Sequence, residues 1–256
     1  MVRGIDIFKQ YFEAYPENYV IIGGTACDIL MEDAGFVPRA TKDIDIILVV
    51  EALSSDFVRQ FWKFIQEGNY ERQEKSSDER KYYRFLKPEN KDFPFQIELF
   101  SRTPDEVDLQ EPAHLTPIPV DDDLSSLSAI LMDEDYYNYL RHNCSTENGL
   151  HLANLDALIC LKAKAFIEIT QRIAEGSTED AKHLKKHKND VFKLAAMLPG
   201  DSEFELPESI KSQLIEFLNT IQDQLPEKVI FKDMGLGNLD AQRIVDQIKK
   251  SFKIDE

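Results

Sequence analysis

The chain has 256 residues, 43% of them apolar and 30% charged, with a formal charge of −17 at pH 7. That length suits one large domain or two small ones with a sizeable core, and the composition is that of a globular protein. The charge argues against a general nucleic-acid binder, which neutralises phosphates with Lys and Arg, although a local basic groove is still allowed.

In chain order, Ile5 to Tyr15 carries Ile7, Phe8, Tyr11 and Phe12 at helical spacing and is stopped by Pro16. Tyr19-Val20-Ile21-Ile22 is short, β-branched and apolar, the pattern of a buried strand. Gly23-Gly24 breaks it, and Thr25 is placed to cap a helix running to about Asp33. A second strand, Lys42 to Val50, turns Asp43 and Asp45 to one face and Ile44 and Ile46 to the other. Leu53 to Glu67 is an amphipathic helix whose apolar side is Phe57, Phe61, Trp62, Phe64 and Ile65. Lys81 to Leu86 and Phe93 to Phe100 form a hairpin with a polar connection. In its second strand Gln96 and Glu98 share a face. An acid between Ile97 and Leu99 is out of place in a buried strand unless it is paired or binds metal.

Two acids side by side repel, and a divalent cation between them is the usual remedy. A Gly-Gly turn that opens a helix offers N–H groups and a positive dipole end to a phosphate. Together these features indicate nucleotide chemistry.

Further along, acids concentrate between Asp105 and Asp135, and Pro112 to Pro119 is a proline-punctuated connection. Asp121-Asp-Asp123 reads as a solvated helix start, which sets the expected domains at 1–123 and 124–256. Leu152 to Ile173 is a helix with the stripe Leu155, Leu158, Ile159, Phe166, Ile169 and Ile173. Lys162 falls inside that stripe, where it must snorkel, pair with an acid or hold an anion. In the lysine-rich stretch after Thr178, Leu184, Val191, Leu194 and Leu198 face inward, with Lys182, Lys185, Lys186 and Lys193 broadly opposite. Asp190 lies a turn from Lys186, which allows a plain i,i+4 pair, and Lys185, Lys186 and Lys188 are placed to meet a polyphosphate or RNA backbone. Leu206 to Leu225 and Leu239 to Phe252 read as helices. Cys27, Cys144 and Cys160 lack any Cys-x-x-Cys spacing, as expected of reduced thiols. No apolar run approaches a membrane span and the start of the chain has no signal-peptide core, so a cytoplasmic protein without a membrane partner is expected.

Gly23-Gly24-Thr25 followed by Thr41-Lys-Asp43-Ile-Asp45 resembles the signature of the nucleotidyltransferase (polymerase-beta-like) superfamily. The form Arg39-x-Thr41-x-Asp43-Ile-Asp45 resembles, more narrowly, the AbiEii-type branch of abortive-infection and toxin–antitoxin nucleotidyltransferases. The resemblance implies an α+β fold, a mixed β-sheet with flanking helices followed by a helical C-terminal domain. It implies Asp43, Asp45 and Glu98 as catalytic carboxylates that hold Mg²⁺, although many relatives carry Asp where this chain has Glu98. Gly23, Gly24, Thr25, Arg39 and Thr41 are then expected to bind nucleotide. Leu158 to Phe166 is similar to a lysine-bearing family helix, which implies that Lys162 faces the phosphates. The stretch from Thr178 to Leu194 is similar to the family's last motif and adds Lys186 and Asp190. The implied activity is Mg²⁺-dependent transfer of an NMP from an NTP to a hydroxyl, with an RNA such as tRNA as acceptor and a cognate antitoxin as partner. A small-molecule acceptor, as in aminoglycoside nucleotidyltransferases, suits the negative charge, and a catalytically idle nucleotide-binding module is a third possibility.

Overall fold

The structure, a computed structural model, describes residues 2–38, 41–71, 83–100, 133–176 and 181–254. Arg39, the boundary at residue 123, the Asp121–Asp123 helix start and Thr178 lie outside these residues. Along the chain run α1 (Ile5–Phe12), β1 (Tyr19–Ile22), α2 (Gly23–Asp33), β2 (Asp43–Leu48), α3 (Ser55–Gly68), β3 (Tyr83–Leu86) and β4 (Gln96–Phe100). They are followed by α4 (Glu134–His142), β5 (Cys144–Glu147), β6 (Leu150–Ala153), α5 (Leu155–Ala174), α6 (Ala181–Ala195), α7 (Glu208–Ile221) and α8 (Ala241–Ser251).

The fold is α+β. Six strands form one mixed sheet in the order β3-β4-β2-β1-β6-β5. β1 is antiparallel to β2 and parallel to β6, β2 is parallel to β4, and the outer strands β3 and β5 are antiparallel to their neighbours.

Two compact units divide the chain. The first comprises the described residues within Met1–Ile29, Pro38–Met132 and Cys144–Ala153 and holds the whole sheet. Because successive residues point to opposite faces, one face collects Tyr19, Ile21, Ile44, Ile46, Ile97 and Leu99, all buried. On it sits an aromatic layer. Phe8 and Phe12 of α1 and Phe57, Phe61 and Phe64 of α3 pack against one another and against Tyr19, and Phe85 of β3 meets Phe61 and Trp62. Rings of this size bury much apolar area each, so this layer anchors the sheet. α3 begins where Ser54 accepts a hydrogen bond from the Phe57 N–H at 3.2 Å, and Asn69, left-handed at φ 47°, ends it.

The β5–β6 hairpin belongs with the sheet because Leu152 registers on Ile21 of β1, so Leu152 lies in a strand and the long helix begins only at Leu155. The hairpin turns on Asn148 and Gly149, both at positive φ (50° and 79°), as a tight two-residue turn demands.

The second unit comprises the described residues within Leu30–Val37, Asp133–Asn143 and Asn154–Glu256. α5 is its centre and is buried on nearly every side from Asp156 to Ile169, with α4, α6 and α7 against it. Phe166 of α5 meets Phe217 of α7 edge-on at 5.3 Å, and the Tyr136 hydroxyl of α4 donates to Gln213 of α7 at 2.7 Å. Cys27, Cys144 and Cys160 form no disulfide.

Candidate functional site

The polar side of the sheet is set by register. Asp43 pairs with Gln96 and Asp45 with Glu98 across the parallel β2–β4 ladder, and Asp45 pairs with Ile22 across β1–β2. Asp43, Asp45, Gln96 and Glu98 therefore share the face opposite the aromatic layer. Asp43 and Asp45 are half-buried, whereas Glu98 is only 7% exposed. The Gln96 amide donates to the Glu98 carboxylate, which fixes that side chain and offsets part of the cost of burying it. Arg84 of β3 is the register partner of Glu98 on its other side.

The glycine turn meets this face. Gly23 has φ 68°, a conformation that suits glycine, and a Cβ built there would fall well inside van der Waals distance of the Asp45 Oδ2. A Cβ on Gly24 would sit 3.0 Å from Thr41 Oγ1. Gly23 is thus fixed by its positive φ together with the Asp45 carboxylate, whereas a side chain at Gly24 would require Thr41 to give by a few tenths of an ångström.

Thr25 does not cap the helix as its sequence position suggests. α2 already starts at Gly23, and Thr25, fully buried in its first turn, donates its hydroxyl to the Asp43 backbone carbonyl. The reason is steric: a glycine pair lets the chain enter the helix directly from the end of β1. One turn on, Asp28 is 3% exposed and accepts the Thr41 backbone N–H at 3.1 Å.

Asp43, Asp45, Glu98, Gly23, Gly24, Thr25 and Thr41 thereby gather at one end of the interior strands β1, β2 and β4. Sequence reasoning missed Asp28, although an acid between Cys27 and Ile29 in an apolar helix was a usable signal. Among the described residues, no three or more His, Cys, Asp and Glu side chains are gathered as a metal-holding cluster. The three acids are related by register and not by convergence of their oxygens.

Lys162, Lys186 and Asp190 belong to the helical unit. The Lys162 ammonium lies 3.5 Å from the Asp190 carboxylate, and both side chains are 8% exposed. Of the fates open to a lysine in an apolar stripe, pairing with an acid is the one adopted. That acid comes from α6, which packs along α5. Lys182, Lys185 and Lys186 are exposed on α6, whereas Lys188 donates to the Gln224 carbonyl at 2.6 Å. Burial pushes the Lys188 ammonium below its usual pKa, as does the nearby Lys185. Near the start of α5, Asp156 accepts from the Tyr139 hydroxyl at 2.6 Å, and burial raises its carboxyl above the usual range.

No protein-family model and no curated protein matches the chain. No helix among the described residues is long and apolar enough to cross a membrane. A solved structure, described as that of an antigenic nucleotidyltransferase-like protein from Paracoccidioides brasiliensis, is similar to this chain at 16% identity and a TM-score of 0.49, over 96% of this chain and 94% of that one.

Proposed function

We propose that this chain is a nucleotidyltransferase that moves an NMP from an NTP to a hydroxyl of an RNA, with tRNA as the candidate acceptor. In this proposal it acts as an AbiEii-type toxin restrained by a cognate antitoxin. The observation that carries the proposal is the row Ile22–Asp45–Glu98 across three strands, with Gly23 bare against the Asp45 carboxylate.

In chemical type the donors suit Mg²⁺, a hard cation that takes oxygen ligands, because Asp43, Asp45 and Glu98 offer only carboxylate oxygens on one face; to hold it their side chains would have to close together from the positions they take here, where they form no three-acid cluster. When bound there, Mg²⁺ would supply neutralisation of phosphate charge and a lowered pKa at the acceptor hydroxyl.

The chain's own groups do the rest. The first-turn N–H groups of α2 donate to the polyphosphate oxygens, helped by the positive end of the helix. The Thr25 hydroxyl proton is committed to Asp43, so Thr25 serves by holding the strand and by its backbone N–H. Glu98, oriented by Gln96, takes the acceptor's proton as the acceptor oxygen bonds to the α-phosphorus and the bond to pyrophosphate breaks. Lys182, Lys185 and Lys186 offer exposed charge to an RNA backbone. Lys162 is held against Asp190 within the second unit.

A second reading, transfer to a cationic small molecule, is favoured by the net charge of −17, which draws cations to an acidic face. One experiment separates the readings: incubate the protein with each α-labelled NTP, Mg²⁺ and total tRNA, and in parallel with a panel of aminoglycosides. A labelled RNA band supports the RNA enzyme and a labelled drug supports the second reading. NTP binding without labelled product would leave only the idle module.

A further inference from the structure

Residues 41, 43 and 45 alternate along the entry to β2, and each is matched by α2. Gly23 leaves room for the Asp45 carboxylate, and Thr25 donates to the Asp43 carbonyl. Gly24 and Asp28, one helical turn apart and so on the same side of α2, both address Thr41. A Cβ on Gly24 would sit 3.0 Å from Thr41 Oγ1, and Asp28 Oδ2 accepts the Thr41 N–H at 3.1 Å. Asp28 is 3% exposed, a place where an apolar residue would be cheaper were no acceptor needed. The helix thus acts as a ruler laid along the acidic strand, and Asp28 is its far mark.

We propose that Asp28 is a positioning residue of the nucleotide site. It touches neither reacting atoms nor cation, and through Thr41 it fixes how Asp43 and Asp45 meet the glycine turn. This inference rests on the nucleotidyltransferase reading above. What matters is where the acceptor oxygen stands and not the charge it carries.

Two substitutions separate position from charge. Asp28→Asn keeps an acceptor oxygen in place and removes the charge, whereas Asp28→Glu keeps the charge and displaces the oxygen by a methylene. Mn²⁺ serves as the spin probe, with free ion counted by electron paramagnetic resonance in the presence of the four NTPs, and exchange of the Thr41 amide is followed by NMR. Asp28→Asn should bind Mn²⁺–NTP close to wild type and keep the Thr41 amide protected. Asp28→Glu should lose about 10–100-fold in affinity, as loss of an outer-sphere support does, and expose that amide while far-UV circular dichroism is unchanged. Should Asp28→Glu fail to fold, Asp28→Ala is the replacement, with the same expectation. Equal affinity in Asp28→Glu and wild type would overturn the inference alone, as would an Asp28→Asn variant as weak as Asp28→Glu. A wild-type protein that binds no Mn²⁺–NTP would overturn the parent reading and this inference together.

Discussion

Asp45 of β2 and Glu98 of β4 stand directly opposite each other on adjacent parallel strands. Like charges in that relationship repel, by an amount comparable to other cross-strand pair energies. Asp45→Asn should therefore raise stability in chelator-treated protein by about 0.5–1 kcal/mol at low salt. Urea unfolding of the two proteins in EDTA checks it, and the gain should shrink once Mg²⁺ is added.

Gly23 and Gly35 both have positive φ, but only Gly23 has a side chain lying where a Cβ would go. Gly35→Ala should cost about 1–2 kcal/mol, the backbone penalty alone. Gly23→Ala should cost clearly more and should also abolish NTP binding, because the Asp45 carboxylate must move. Parallel urea titrations and nucleotide binding on both variants give the comparison.

Lys162 and Asp190 form a pair that is nearly shut off from water. Asp190→Ala should cost about 3–5 kcal/mol, since it leaves the buried Lys162 ammonium without that partner, and Lys162→Ala should cost less, because Asp190 keeps a further contact. Replacing the pair with Met and Leu should cost much less than the sum of the single changes. A double-mutant cycle in urea measures the coupling.

His151 of β6 has Thr146 Oγ1 3.0 Å from its Nδ1, and burial lowers its pKa below the usual value despite the opposing pull of Glu17. The unfolded chain then binds more protons than the folded one just below pH 6.5. Stability should rise with pH up to that value and fall as the pH drops beneath it. His151→Gln should flatten the melting-temperature profile between pH 5.5 and 7, measured against wild type in the same buffers.

The strands that build the site were legible because their patterns are local. Tyr19–Ile22 is a bare β-branched run, and the alternation of Asp43, Ile44, Asp45 and Ile46 names the polar face before any fold is known. The β3–β4 hairpin was legible for the same reason. The β5–β6 hairpin was not, since Cys-Ser-Thr-Glu is a short polar strand on the sheet edge, where no apolar alternation is required. Its Asn148-Gly149 turn was the signal available. Thr25 misled because Ser and Thr before a helix usually cap it, whereas here tertiary contact with Asp43 claims the hydroxyl. The partner of Lys162 was out of reach, because Asp190 stands on another helix and periodicity speaks only within one.

The central claim is that acids on β2 and β4 hold a cation for a nucleotide seated at the Gly23-Gly24 turn. Isothermal titration of each NTP into the protein, with Mg²⁺ and then with EDTA, tests it most directly when repeated on Asp45→Ala. At least one NTP should bind wild type about tenfold or more tightly with Mg²⁺, and Asp45→Ala should lose that difference while keeping its fold. Equal affinity with and without Mg²⁺, unchanged in Asp45→Ala, would contradict it.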